Sequence, residues 1–138
     1  MNVQRIVLDT NCLVQSLPSR SQYHRIWTDF IDGRYNLCVS NEILNEYEEI
    51  ISRYASPNVA RNVVEAIIHS PFAVYKESHF RFHLIVADPD DNKFVDCAIA
   101  AGAQYVVSED SHFGILRSIP FPKVDVIGLD EFLKLLTE

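Results

Sequence analysis

Residues 6–11 read Ile-Val-Leu-Asp-Thr-Asn, and the prediction of the fold starts from this stretch. Three consecutive apolar residues followed at once by polar turn formers predict a buried strand that ends at Asp9 and leads into a turn. Residues 105–107 read Tyr-Val-Val and repeat the pattern, with Ser-Glu-Asp directly after them. The chain therefore has two apolar strands, far apart in sequence, that each run into a carboxylate.

Helical patterns separate these two strands and their neighbours. Apolar spacing predicts helices over residues 23–31, from the N-cap Ser40 through Tyr54, from Pro57 through Ile68, from Asp91 to Gly102, over 113–116 and over 130–136. Further strands are predicted at 35–39, 72–75 and 124–127, and residues 77–86 as a loop with at most a short strand. Strands alternating with helices predict one domain over residues 1–138, a three-layer α/β/α sandwich on a mainly parallel sheet.

The overall charge excludes one way of binding nucleic acid. With 12 basic and 19 acidic residues the chain carries a net charge of -7, the wrong sign for gripping nucleic acid by bulk electrostatics. It is the right sign for holding a divalent cation, which then supplies local positive charge. The first residues lack the apolar segment of a signal peptide, no apolar run is long enough to cross a membrane, and the three cysteines are scattered. We therefore expect a cytoplasmic protein with reduced thiols.

Four carboxylates are the candidate site. Asp9 and Asp110 follow apolar strands, and in parallel sheets ligands bind beyond the carboxyl ends of the strands. Glu46 lies on the helix after the second strand, and Asp91 begins the helix before the Asp110 strand. Converging carboxylates repel one another unless a cation lies between them, and oxygen ligands suit Mg²⁺ or Mn²⁺. The residues admit either one or two cations.

Each acid also has a structural explanation. Asp9 and Asp110 can cap helices, Glu46 can belong to a solvated helix face, and Asp91 suits the dipole at a helix start. The third position is moreover contested among the acids at 88, 90, 91 and 96. Asp96 lies five residues past Asp91, which rotates it well off the same helix face.

In their order along the chain these pieces resemble the PIN-domain ribonucleases, and most closely the VapC-like PIN toxins of bacterial toxin–antitoxin pairs. The matching features are the strand ending in Asp-Thr-Asn at 9–11, Val-Ser at 39–40 with Glu46 six residues beyond Ser40, the acidic turn 88–92 ahead of an alanine-rich helix, and Ser-Glu-Asp at 108–110. The resemblance extends from about residue 3 to 136. Ser108 stands where the family usually has threonine, which keeps the hydroxyl.

The resemblance implies a metal-dependent endoribonuclease that hydrolyses RNA as the toxin of a toxin–antitoxin pair. It implies Mg²⁺ or Mn²⁺ as cofactor, a small antitoxin protein as partner, and a homodimer. Ala98, seven residues past Asp91, favours Asp91 as the third acid. The implied metal ligands and catalytic residues are Asp9, Glu46, Asp91 and Asp110, and the implied supporting residues are Asn11, Ser108, Asp88 and Asp96.

Two other functions compete with this one. A PIN-like binding or scaffold module that no longer cleaves is expected to lose one or more of the four acids, and all four are present. A phosphatase with Asp9 as nucleophile requires a second aspartate two residues on, where this chain has Asn11. Among the remaining polar residues, His112 is a candidate to approach the substrate, and Arg20, Arg25 and Lys93 are candidates to meet its phosphates.

Overall fold

A computed structural model describes residues 4–78, 81–85 and 89–138. Within them, five strands form one sheet in the order β3-β2-β1-β4-β5, and every neighbouring pair is parallel. The strands are β1 (Arg5–Leu8), β2 (Asn36–Val39), β3 (Ala73–Tyr75), β4 (Tyr105–Val107) and β5 (Val126–Ile127). The predicted parallel sheet is confirmed.

Both faces of this sheet are covered. Ile6, Val7 and Leu8 point alternately to opposite faces, yet all three are at most 1% exposed. The same holds for residues 37–39 of β2, which are buried without a break. Continuous burial along a strand requires packing on each side of the sheet, so the three-layer α/β/α sandwich is confirmed.

Six α-helices accompany the strands in the described part of the chain. They are α1 (Thr10–Ser16), α2 (His24–Ile31), α3 (Asn41–Tyr54), α4 (Pro57–Ile68), α5 (Asn92–Ala101) and α6 (Leu129–Thr137), with 3-10 turns at Pro89–Asp91 and Ser111–Ser118. The predicted cap of α3 is confirmed, because the Ser40 hydroxyl accepts a hydrogen bond from the Ile43 amide at 3.3 Å. Pro57 opens α4 as expected.

One element was not predicted. The turn expected after Asp9 is instead the helix α1, which begins at Thr10 and buries Cys12 and Leu13. A helix of seven residues spans about two turns, too few for its apolar positions to repeat, and Thr and Asn at its start are common turn residues. Its neighbours in the fold, α2 and α3, supply the contacts that stabilise it.

The strand order marks one special place in the sheet. The chain builds β1, β2 and β3 in one direction and then returns to add β4 and β5 on the other side of β1. The carboxyl ends of β1 and β4 therefore flank the point where the winding direction reverses, where ligands bind in sheets of this kind. None of the described helices has the length and apolar character needed to cross a membrane.

Candidate active site

The register of β1 and β4 brings the first two site residues into contact. Leu8 pairs with Val107, and the Asp9 amide donates to the Val107 carbonyl at 3.0 Å. The next residue on β4, Ser108, consequently lies beside Asp9, and its hydroxyl donates to Oδ2 of Asp9 at 2.8 Å. Asp9 is only 6% exposed, so this bond holds a buried carboxylate in one orientation.

Asp110 is tied to the same hydroxyl. Its amide donates to Oγ of Ser108 at 3.0 Å, so Ser108 links the residues that follow β1 and β4. Oδ1 of Asp110 accepts the His112 amide at 2.9 Å and so caps the 3-10 turn that begins at Ser111. Asp110 therefore does cap a helical turn, as its position after a strand allowed, and the cap fixes its carboxylate at the site.

Asp91 and His112 complete a compact group with Asp110. One ligand atom from each of these three residues lies within 4.8 Å of the others. Nδ1 of His112 is 3.4 Å from Oδ1 of Asp110 and 3.9 Å from Oδ2 of Asp91. Asp91 ends the 3-10 turn before α5, and its Oδ2 atom is buried. Of the described acids that compete for the third position, Asp91 is the one that meets Asp110.

Glu46 joins the site through two donors. The Thr10 hydroxyl donates to its Oε2 atom, and Nζ of Lys93 donates to its Oε1 atom at 2.7 Å. Lys93 also donates to the carbonyl of Asp90 at 2.7 Å, which ties α3 to the segment that carries Asp91. The charge of Glu46 is therefore offset by a lysine that the sequence analysis had considered for substrate phosphates.

The pKa of Asp9 is affected by its burial and by the negative charges around it. Burial raises the pKa of Asp9 above its usual value of 3.8, and the charges of Glu46 and Asp110 raise it further. The hydrogen bond from Ser108 opposes these effects by stabilising the carboxylate. A cation would remove this penalty, so the oxygen donors of Asp9, Asp91 and Asp110 fit Mg²⁺ or Mn²⁺.

A cleft gives access to Asp9 and Asp110. Its volume is about 430 Å³, within the range of roughly 300–1,000 Å³ typical of ligand pockets. Its lining residues are Asp9, Asn11, Val14, Gln15, Tyr54, Glu109 and Asp110. Asn11 is exposed and lines this cleft, where it could contact a substrate. Its supporting role at the site stays a prediction.

Two predicted supporting residues lie elsewhere or outside the description. Asp96 is 3% exposed and accepts the Phe82 amide at 3.2 Å, so it anchors the 81–85 segment and is not grouped with Asp110. Burial raises its pKa above the usual value. Asp88 lies outside the described residues. Arg25 also serves the fold, since it binds Asp29 and the carbonyl of Leu136.

The structure brings two further residues to the site. Thr10 is predicted only as a turn former, and in the structure its hydroxyl, directly after Asp9, donates to Glu46. His112 is predicted to approach the substrate, and the structure places it against both Asp91 and Asp110. Neither contact has a sequence pattern of its own, because each joins residues from separate elements.

Comparison with known proteins gives a family and two similar folds. The sequence profile of the PIN domain matches residues 5–112. A chain of VapBC2 from Rickettsia felis, in a crystal structure with a DNA fragment from their promoter, superimposes with a TM-score of 0.61 at 14% identity, covering 90% of this chain and 98% of that one. The PIN domain of RRP44 from T. brucei superimposes with a TM-score of 0.53 at 13% identity, covering 99% and 82%. No curated protein sequence is significantly similar to the chain.

Proposed function

The chain belongs to the PIN domain family, and from that premise we propose that it is a metal-dependent endoribonuclease that hydrolyses phosphodiester bonds of RNA. The observation that carries the proposal is the acidic group at the reversal point of the sheet, where Asp91 and Asp110 lie together and the charge of Asp110 acts on Asp9. Asp9 and Asp110 line an open cleft, where a phosphodiester can reach them.

The residues have distinct parts in this proposal. Asp9, Asp91 and Asp110 would hold Mg²⁺ or Mn²⁺, with Glu46 beside them. Such a cation would supply activation of water at neutral pH and would offset charge on the phosphate oxygens. Ser108 orients Asp9, and Thr10 with Lys93 holds Glu46. A carboxylate of this set that is not a cation ligand would serve as the base that takes a proton from water.

The proposal includes a biological setting. The fold likeness to a chain of the VapBC2 complex supports a role as the toxin half of a toxin–antitoxin pair. In that setting a small antitoxin protein binds the chain, which acts in the cytoplasm as a homodimer. The T. brucei RRP44 PIN domain shares the fold too. The nuclease proposal rests on the acidic group and the family match, so it does not depend on the toxin role.

The decisive experiment compares two neighbouring aspartates. Wild type, Asp91→Asn and Asp90→Asn are incubated with a mixed RNA pool in Mg²⁺, Mn²⁺ or EDTA, after circular dichroism has shown that each is folded. Asp90 is exposed and next in sequence, so its variant makes the same charge change outside the acid group. We expect wild type and Asp90→Asn to cut only with metal, and Asp91→Asn to lose activity by on the order of 10²-fold or more.

Three outcomes would contradict parts of this proposal. Equal losses of activity in the two variants would contradict the assignment of Asp91 as the third acid. Cleavage that persists in EDTA would contradict the proposed requirement for a metal ion. A wild-type chain that neither cuts RNA nor binds Mg²⁺ or Mn²⁺ in calorimetry would instead be the PIN-like binding module that the sequence analysis set against the nuclease.

A further inference from the structure

An exposed tyrosine stands at the edge of the acidic cleft. Tyr54 is 73% exposed and lines this cleft together with Asp9 and Asp110. It also lines an adjoining, mostly apolar groove of about 240 Å³. The groove is formed by Val14, Leu17, Pro18, Ile51, Tyr54, Ala55 and Val59. Tyr54 thus joins an apolar surface to the site of the proposed chemistry.

The backbone holds Tyr54 firmly in this place. It is the last residue of α3, and α4 begins at Pro57, so only two residues connect the helices. The Ala55 amide donates to the Ile51 carbonyl at 2.8 Å, and the Ser56 hydroxyl accepts the Val59 amide at 3.1 Å. A ring carried on such a short, hydrogen-bonded connection can bind a partner with little loss of backbone freedom.

The other side chains that line the cleft indicate what the Tyr54 ring would bind. Among the described residues, those that line the cleft include three carboxylates and no lysine or arginine, so the lining side chains do not attract phosphate directly. Two amides lie on the same wall, since Asn11 and Gln15 are one helical turn apart on α1 and both are exposed. Amide side chains hydrogen-bond base edges, and aromatic rings stack on base faces. Together these groups match a neutral nucleobase.

We propose that Tyr54 stacks on a nucleobase next to the scissile phosphate, and that Asn11 and Gln15 hydrogen-bond the edge of this base. The inference rests on the proposed ribonuclease function and adds the residues that place the RNA. A base stacked on Tyr54 would bring its neighbouring phosphate to the cation that the acids are proposed to hold. No basic side chain is then needed to position that phosphate. The apolar groove continues from the same ring, so it extends the surface on which the nucleotide lies.

The test separates binding from chemistry. Tyr54→Ala should raise the KM for RNA about tenfold or more and leave kcat little changed, because one stacked base contributes on that scale. Tyr54→Phe keeps the ring and should keep the wild-type KM. Tyr75→Ala is the matched control, since Tyr75 is 50% exposed but does not line the cleft. Unchanged KM in Tyr54→Ala would overturn the proposal and leave the groove to a protein partner.

A second measurement assigns the effect to a base. The substrates are copies of one cleaved RNA in which single nucleotides are replaced by abasic ones. In wild type, one replacement beside the cut should raise KM as much as Tyr54→Ala does, and that replacement should have no further effect in Tyr54→Ala. If the two losses simply multiply, Tyr54 does not contact that base and the proposal fails.

Failure of the nuclease function can be told apart from failure of this inference. Binding of a fluorescein-labelled oligoribonucleotide with a non-hydrolysable backbone is measured by anisotropy with Mg²⁺ present, for wild type and for Tyr54→Ala. If wild type cuts no RNA but Tyr54→Ala weakens this binding about tenfold, the base site stands and the nuclease proposal falls. Should wild type cut RNA while Tyr54→Ala alters neither KM nor binding, the nuclease proposal stands and the base site falls.

Discussion

Asp9 is held in the fold against its own electrostatics. It is almost fully buried, it lies near the charges of Glu46 and Asp110, and the Ser108 hydroxyl is the side-chain donor that stabilises it. In the absence of a cation, the raised pKa means that the folded chain binds this proton more tightly than the unfolded chain does. The charged form therefore destabilises the fold, as is common for residues kept for function.

Replacing this carboxylate should stabilise the protein. In EDTA at pH 7, Asp9→Asn should raise the free energy of unfolding by on the order of 1 kcal/mol, because the amide removes the buried charge and can still accept the Ser108 hydrogen bond. The penalty of Asp9 appears as pH rises through its folded-state pKa and is absent below the usual value of 3.8, so the two proteins should converge in acid. Urea unfolding at both pH values measures this.

Exposed Asp125→Asn serves as the control and should change little at either pH. Added Mg²⁺ should stabilise wild type and not Asp9→Asn, since a ligand that binds only the folded state stabilises it by mass action. An Asp9→Asn protein that is less stable than wild type at pH 7 would show that the carboxylate itself supports the fold.

Helices α3 and α4 show how local signals place a site residue. Each is preceded by a serine whose hydroxyl accepts a hydrogen bond from the amide of the third helical residue, Ile43 in α3 and Val59 in α4. The two helices pack against each other, and α3 carries Glu46 towards Thr10 and Lys93. The caps are thus part of the frame on which the candidate site is built.

Removing either cap should cost similar stability. Ser40→Ala and Ser56→Ala should each lower the free energy of unfolding by about 1 kcal/mol, the usual contribution of a serine N-cap. Each variant is the control for the other, because both lose a serine N-cap but only α3 carries a residue of the candidate site, Glu46. Chemical denaturation of both variants measures the loss. A Ser40→Ala protein as stable as wild type would mean that the 3.3 Å bond to Ile43 contributes nothing measurable.

The whole molecule is acidic, and this shapes how it can hold RNA. With a net charge of -7 and a cleft free of lysine and arginine among its lining residues, the chain does not attract the phosphate backbone as basic nucleases do. Affinity must then come from the cation and from contacts with bases. Such contacts release few counterions from the RNA.

Binding should therefore respond weakly to salt. The affinity of the wild-type chain for a labelled oligoribonucleotide with a non-hydrolysable backbone should fall less than about tenfold between about 50 and 200 mM monovalent salt, against roughly 10³–10⁵ for a protein with 6–10 phosphate contacts. Anisotropy titrations at constant Mg²⁺ measure the slope. A steep slope would point to a basic surface outside the cleft as the main RNA contact.

Local patterns were enough for most of the elements. The apolar runs at 6–8 and 105–107, the cap at Ser40 and the proline at 57 all depend on near neighbours in sequence, so the strands and the long helices were predictable. The helix α1 was not, because its seven residues are stabilised by contacts with α2 and α3 and not by a repeat of their own. The predicted strand at 124–127 is shorter in the structure, where Val126 and Ile127 pair with β4.

Short segments of the chain encode the α/β class and show which acids follow strands or begin helices, because both are local properties. Which groups meet depends on how the elements pack: Ser108 meets Asp9 across 99 residues, Lys93 meets Glu46 across 47, and His112 meets Asp91. These contacts arise from strand register and helix packing, and no periodicity within one segment encodes them. Asp96 was assigned to the 81–85 segment, and Tyr54 to the cleft, by the same packing.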